Sequence, residues 1–140
     1  MTENNTLCFI DSNVWLYGFS TDQKEDRKRI LAKQLIKEKR IIISTQIINE
    51  VCRNLLKKHK LDEQSILTLV KSFYSKYQVI SFNLNIIESA SNIRTQYNIS
   101  FWDSLIVSCA LSANVDILYS EDMQDGLTLE RKLTIVNPFK

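Results

Sequence analysis

The run Arg40-Ile41-Ile42-Ile43-Ser44 is β-branched and continuous. A strand with one wet face alternates apolar and polar residues; one that does not alternate is buried on both faces. Strands of that kind belong to parallel sheets covered by helices on either side. Four further short strands are readable: 7–11, 78–82, 116–120 and 134–136, the last stopped near Pro138. Helical spacing fills the intervals. A short turn covers 13–19, and 24–38 places Ile30, Leu31, Leu35 and Ile36 on one stripe. Ser44 or Thr45 caps a helix to about Lys58, with Ile47, Ile48, Val51 and Leu55 on one side. Asp62 caps the next, which carries Ile66, Leu67, Leu69, Val70 and Phe73; 85–97 and 102–113 complete the set. Strand–helix alternation of this kind predicts an α/β fold with a parallel sheet sandwiched between helices.

No repeat, linker or low-complexity tract interrupts the pattern, so the 140 residues read as one domain, 1–140. No apolar run approaches the ~20 residues that span a bilayer. The start, Met1-Thr2-Glu3-Asn4-Asn5, lacks the basic segment of a secretory signal, and a cytoplasmic location is expected. With only Gly18 and Gly126, the chain cannot hold a P-loop or a Rossmann glycine turn. His59 is the only histidine, which argues against paired-imidazole chemistry and a conventional zinc site. Cys8, Cys52 and Cys109 have no ligand spacing and read as small buried hydrophobes. Net charge is +2, but basic residues crowd 24–60 while 103–130 is comparatively acidic. The basic half suits a polyanion such as RNA, or is simply the solvated side of amphipathic helices.

Four acids stand where apolar runs meet element ends: Asp11, Glu50, Asp103 and Asp122. A carboxylate among core residues costs several kcal/mol unless it is paired or holds a cation. Taken singly, each has an ordinary explanation. Asp103 suits the positive end of a helix dipole, Glu50 has Arg53 nearby, and Asp11 and Asp122 are common turn residues. Together they point to a divalent-cation site, because ligands in open parallel sheets bind beyond the carboxyl ends of the strands. Asp11 ends the first strand and Asp122 follows the fourth. Glu50 lies about one and a half turns into the helix after the second strand. Asp103 opens the helix that leads to the fourth.

Phe9-Ile10-Asp11-Ser12-Asn13-Val14, the Glu50 helix, Phe101-Trp102-Asp103-Ser104-Leu105-Ile106 and Ile117-Leu118-Tyr119-Ser120-Glu121-Asp122-Met123-Gln124-Asp125-Gly126 together resemble the PIN-domain nucleases, and among them the VapC-like toxins. The likeness runs from about Leu7 to Phe139. It implies a three-layer α/β/α domain with a five-stranded parallel sheet and metal-dependent endoribonuclease activity. Asp11, Glu50 and Asp103 match the first three family acids. Ser120-Glu121-Asp122 makes Asp122 the fourth, with Glu121 the substitute if the register shifts by one and Asp125 an additional ligand. Ser12, or alternatively Asn13, matches the polar group that orients the first acid. The resemblance also implies a small antitoxin partner.

Oxygen-only ligands suit Mg2+ or Mn2+, one ion or two, with Asp11, Asp103 and Asp122 as ligands and Glu50 as ligand or water-orienting base. A homodimer is expected. Other readings fare less well. A response-regulator receiver needs an Asp ending the third strand, where this chain has Ser81-Phe82-Asn83, and a Lys where it has Val136-Asn137-Pro138. A haloacid-dehalogenase-type phosphatase needs Asp-x-Asp where it has Asp11-Ser12-Asn13. A catalytically silent RNA- or protein-binding module is the remaining alternative.

Overall fold

The computed structural model describes residues 6–140. The expectation drawn from Met1–Asn5 therefore lies outside the described residues. In chain order the elements are β1 (Leu7–Ile10), α1 (Ser12–Phe19), a 3-10 turn (Gln23–Glu25), α2 (Asp26–Glu38), β2 (Arg40–Ser44), α3 (Thr45–Lys58) and α4 (Glu63–Lys76). There follow β3 (Gln78–Ile80), α5 (Leu84–Gln96), α6 (Phe101–Ser112), β4 (Ile117–Tyr119), β5 (Thr128–Leu129) and β6 (Leu133–Val136). Among the described residues no helix is long and apolar enough to cross a membrane.

The strands form one sheet in the order β3-β2-β1-β4-β6-β5. All pair in parallel except β5, which runs antiparallel to β6. The expected five-stranded parallel sheet is therefore corrected to six strands among the described residues. The additional strand has two residues, Thr128 and Leu129, too short to show the period of two by which a strand is legible. It returns onto β6 through a tight turn in which Glu130 and Arg131 both take positive φ, at 51° and 57°. The Ile41–Ile43 run is buried as expected, with Ile43 fully enclosed.

The chain steps from β1 to β2 to β3 in one direction, then returns to lay β4 on the other side of β1. Right-handed crossovers put the helices of the outward steps on one face and those of the return on the other. α1 packs on α2 and α3, and α3 on α4; α5 and α6 pack on each other. Phe9, Ile10, Ile43, Ile47, Ile106, Leu118 and Ile135 fill the space between the layers. Cys8, Cys52 and Cys109 are buried free thiols within the same core, as their apolar settings predict.

Helix starts follow capping chemistry. Ser44 Oγ accepts from the Ile47 amide, Asp62 from Ser65, Asn83 from Ile86 and Ser100 from Asp103. Ser44 thus sets where α3 begins, and with it the depth at which Glu50 stands.

Candidate active site

The reversal of strand order falls between β1 and β4, so the crevice opens where both strands end. Asp11 is the first residue beyond β1, and its amide donates to the Tyr119 carbonyl at 2.9 Å, which extends the ladder by one bond. It also caps α1. One carboxylate oxygen accepts from the Ser12 amide at 2.8 Å and the other from the Ser120 hydroxyl at 2.8 Å. Asp11 is 5% exposed. Burial pushes its pKa from the ordinary 3.8 to about 6, with the charges of Asp103 and Asp122 adding to the effect and Ser120 and Ser12 opposing it.

The other acids approach on three different elements. Glu50, on α3, is half-buried, and one of its oxygens has no hydrogen-bond partner. Burial raises its pKa, Asp11 raises it further, and Gln46 opposes the shift. Asp103, in the first turn of α6, is raised by burial and by the Asp122 charge, against the nearby Ser100 hydroxyl. Asp122 follows β4 and is exposed, and the Asn13 side chain ties it to Asp11. Asn13 Nδ2 donates at 3.0 Å to Asp122 and at 3.5 Å to Asp11, while its oxygen accepts from the Glu121 amide at 3.4 Å. Among the described residues no Lys or Arg pairs with any of these four acids. They share one electrostatic field, but among the described residues no three acids, thiols or imidazoles close into a preformed metal cage.

The two neighbours of Asp122 in the sequence reading are engaged elsewhere. Glu121 accepts from the Tyr17 hydroxyl at 2.7 Å and forms an ion pair with Lys28. Burial works against its charge, but Lys28 and Tyr17 outweigh it and hold Glu121 below the usual carboxylate range. Asp125 accepts from the Asn137 amide at 2.8 Å and lies 3.9 Å from the Lys140 ammonium, closing the C-terminal turn. The Ser12 contribution to Asp11 is a backbone amide. The side chains that hold Asp11 are those of Asn13 and Ser120, whose fully buried hydroxyl also accepts from the Met123 amide, while the Ser12 hydroxyl acts on Glu50 and opposes the rise in its pKa. Ser120 had one signal in the sequence, a small polar residue closing a buried strand, and its role as a donor to Asp11 was not readable from it.

The sequence pattern of the PIN domain family matches residues 8–124, and the match includes Asp11, Glu50, Asp103 and Asp122. The chain belongs to the PIN domain family. No curated protein sequence matches it. Solved structures do. A toxin–antitoxin complex from Klebsiella pneumoniae superposes with a TM-score of 0.70 at 21% identity, covering 94% of this chain and 97% of the other. VapC20 of Mycobacterium tuberculosis, described as a sarcin-ricin loop cleaving toxin, superposes at 0.63 with 16% identity, covering 82% and 89%. VapBC2 from Rickettsia felis, bound to a DNA fragment from its promoter, gives 0.61 at 19% identity, covering 94% and 100%. At these identities the likeness is one of fold. The PIN domain described here thus has the shared architecture.

Proposed function

We propose that this PIN domain is a metal-dependent endoribonuclease that hydrolyses RNA phosphodiester bonds, and that it is the toxin of a toxin–antitoxin pair in the cytoplasm. One observation carries the reading: Asp11, Glu50, Asp103 and Asp122 share one electrostatic field at the switch point of the sheet, and among the described residues none of them forms an ion pair with a Lys or Arg. The donor set fits a hard cation. All four donors are carboxylates, three of them are held above their ordinary range, and a Glu50 oxygen lacks a partner.

Asp11, Asp103 and Asp122 would hold Mg2+ or Mn2+, one ion or two, with Glu50 as a further ligand or as the base. A bound divalent cation would neutralise charge on the phosphate and make an attacking water more acidic. Ser120 and the Ser12 amide fix the Asp11 carboxylate, and Asn13 holds Asp11 and Asp122 in a set relation. Glu50, whose pKa is raised by burial and by the Asp11 charge, would be the group that accepts a proton from water.

The descriptions of the Klebsiella and Mycobacterium structures support the toxin assignment. An apolar recess of about 180 Å3 lined by Trp15, Phe19, Ile36, Leu69 and Phe73 lies between α1, α2 and α4. It suits an antitoxin helix laid into a groove. Leu84 and Ile87, exposed on α5, suit a homodimer.

The test is incubation of the purified chain with total RNA in Mg2+, in Mn2+ and in chelator, beside Asp11→Asn. Cleavage that needs metal and disappears in the variant is the expected result. If RNA survives every condition and metal gives no thermal shift, the enzyme reading fails and a silent binding module takes its place.

A further inference from the structure

Beside the acids, between the first turns of α3 and α6, lies a second recess of about 540 Å3, lined in part by Gln46, Asn49, Glu50, Arg53, Phe82 and Trp102. Recesses of about 300–1,000 Å3 accept nucleoside-sized ligands. Trp102 stands in its wall with 61% of its surface exposed, and Phe82 beside it is 39% exposed. A tryptophan left this open is unusual for a structural residue, and its ring is braced. It meets Phe101 edge-to-face at 5.2 Å, and the far partner of Phe101 is the Arg94 guanidinium at 4.6 Å, itself fixed by a 2.7 Å bond to Ser104 Oγ. Gln46 Nε2 donates to the Trp102 carbonyl at 3.2 Å, so the platform is tied to the helix that carries Glu50.

We propose that this recess is a subsite for single-stranded RNA, in which the base of a nucleotide flanking the scissile phosphate stacks on Trp102 and the adjoining phosphate faces Arg53. The inference rests on the nuclease reading for the placement of the scissile phosphate. Four features favour a nucleotide over other occupants. Trp102 is the immediate neighbour of Asp103 in the chain, and Glu50 belongs to both the recess and the acid cluster. Arg53 is exposed, and among the described residues no carboxylate pairs with it, so an open cation adjoins an open aromatic face. That combination matches a phosphate joined to a base, since bases of every kind stack on aromatic rings and phosphates seek guanidinium groups. Gln46 Oε1 and a Glu50 oxygen, one helical turn apart, are buried without hydrogen-bond partners. Both are acceptors on residues that line the recess, which matches the N–H edge of a base.

The test uses 2′-O-methyl hexanucleotides, which are not cleaved, in buffer containing chelator. Trp15 is 2% exposed, so any quenching of tryptophan fluorescence by a stacked base reports on Trp102. Saturable quenching is expected. Affinity, read by anisotropy of a labelled hexanucleotide, should fall about tenfold or more in Trp102→Ala and stay within about threefold in Trp102→Phe, with unchanged melting curves. Arg53→Ala should lower the salt dependence of binding by about one unit of slope. Absence of quenching, or wild-type affinity in Trp102→Ala, overturns the proposal. So does a Trp102→Ala variant that binds RNA normally but changes from dimer to monomer by light scattering, since the ring would then be an interface with a second copy. The same variants assayed with unmodified RNA and Mg2+ separate the two readings. Cleavage abolished in Asp11→Asn but unaltered in Trp102→Ala, in binding as well as rate, leaves the nuclease without this subsite. Trp102-dependent binding with no cleavage under any metal leaves the subsite without the nuclease.

Discussion

Asp11 accepts from the Ser12 amide and the Ser120 hydroxyl, yet burial still carries its pKa to about 6. The proton is therefore held more tightly in the folded chain than in the unfolded one. The resulting stabilisation is complete below the ordinary value of 3.8 and is lost as pH rises through about 6. A shift of about 2 units corresponds to ~3 kcal/mol, with Glu50 and Asp103 contributing in the same direction. Metal-free Asp11→Asn should thus be more stable than the wild type at pH 8 and similar to it at pH 4, which chemical denaturation at the two pH values would show. Ser120→Ala removes a donor to the charged form, so the acid limb of the pH–rate profile should move to higher pH. An unmoved limb would mean that Ser120 supports only the loop. Glu121 and Asp122 separate in the same assay: Asp122→Asn should lose cleavage, while Glu121→Gln should keep most of it, because Glu121 is committed to Lys28 and Tyr17.

At the scale of elements, the helix that carries Glu50 owes its start to Ser44, a fully buried residue whose hydroxyl accepts from the Ile47 amide at 3.3 Å. Ser44→Ala should cost about 1 kcal/mol of stability, measurable by denaturant titration, because a cap hydrogen bond is lost. It should lower activity beyond what that loss of stability explains, since it frees the first turn that positions Gln46 and Glu50. This cap was legible in the sequence to within one residue, as Ser44 or Thr45, and Asp62 and the strand at Arg40–Ser44 were legible outright, because propensity and polarity act over a few residues. β5 was not. Thr128 and Leu129 become a strand only because Leu133–Val136 offers an unpaired edge for them to bind.

For the whole molecule, the crevice gathers acids that, among the described residues, form no ion pair with Lys or Arg, so on the proposed reading a bound cation would stabilise the fold. At 100 times its Kd, a cation binding only the folded state adds about 2.7 kcal/mol. Mg2+ or Mn2+ should therefore raise the melting temperature of the wild type at pH 8. The increase should shrink or vanish in Asp103→Asn. A shift equal in both proteins would place the cation elsewhere. The sheet itself should be insensitive to metal: Leu118→Ala, at the centre of β4 and fully buried, should cost 2–5 kcal/mol with or without it.

The order of elements apart from β5, the burial of the Ile41–Ile43 strand, a cap at Ser44 or Thr45 and another at Asp62, and the inert burial of Cys8, Cys52 and Cys109 were determined by the sequence alone. Each depends on periodicity, capping or hydrophobicity within a short stretch of chain. Tertiary structure alone decided which groups meet. Glu121 and Asp122 are adjacent in the chain, but only the approach of α2 gives Glu121 its Lys28, and only the Asn13 clamp binds Asp122 to Asp11. Ser120 becomes a donor to Asp11 only because strand order reverses between β1 and β4. Hydrogen bonds and charge act over a few ångströms of space whatever the separation in sequence, so partners 109 residues apart leave no local trace.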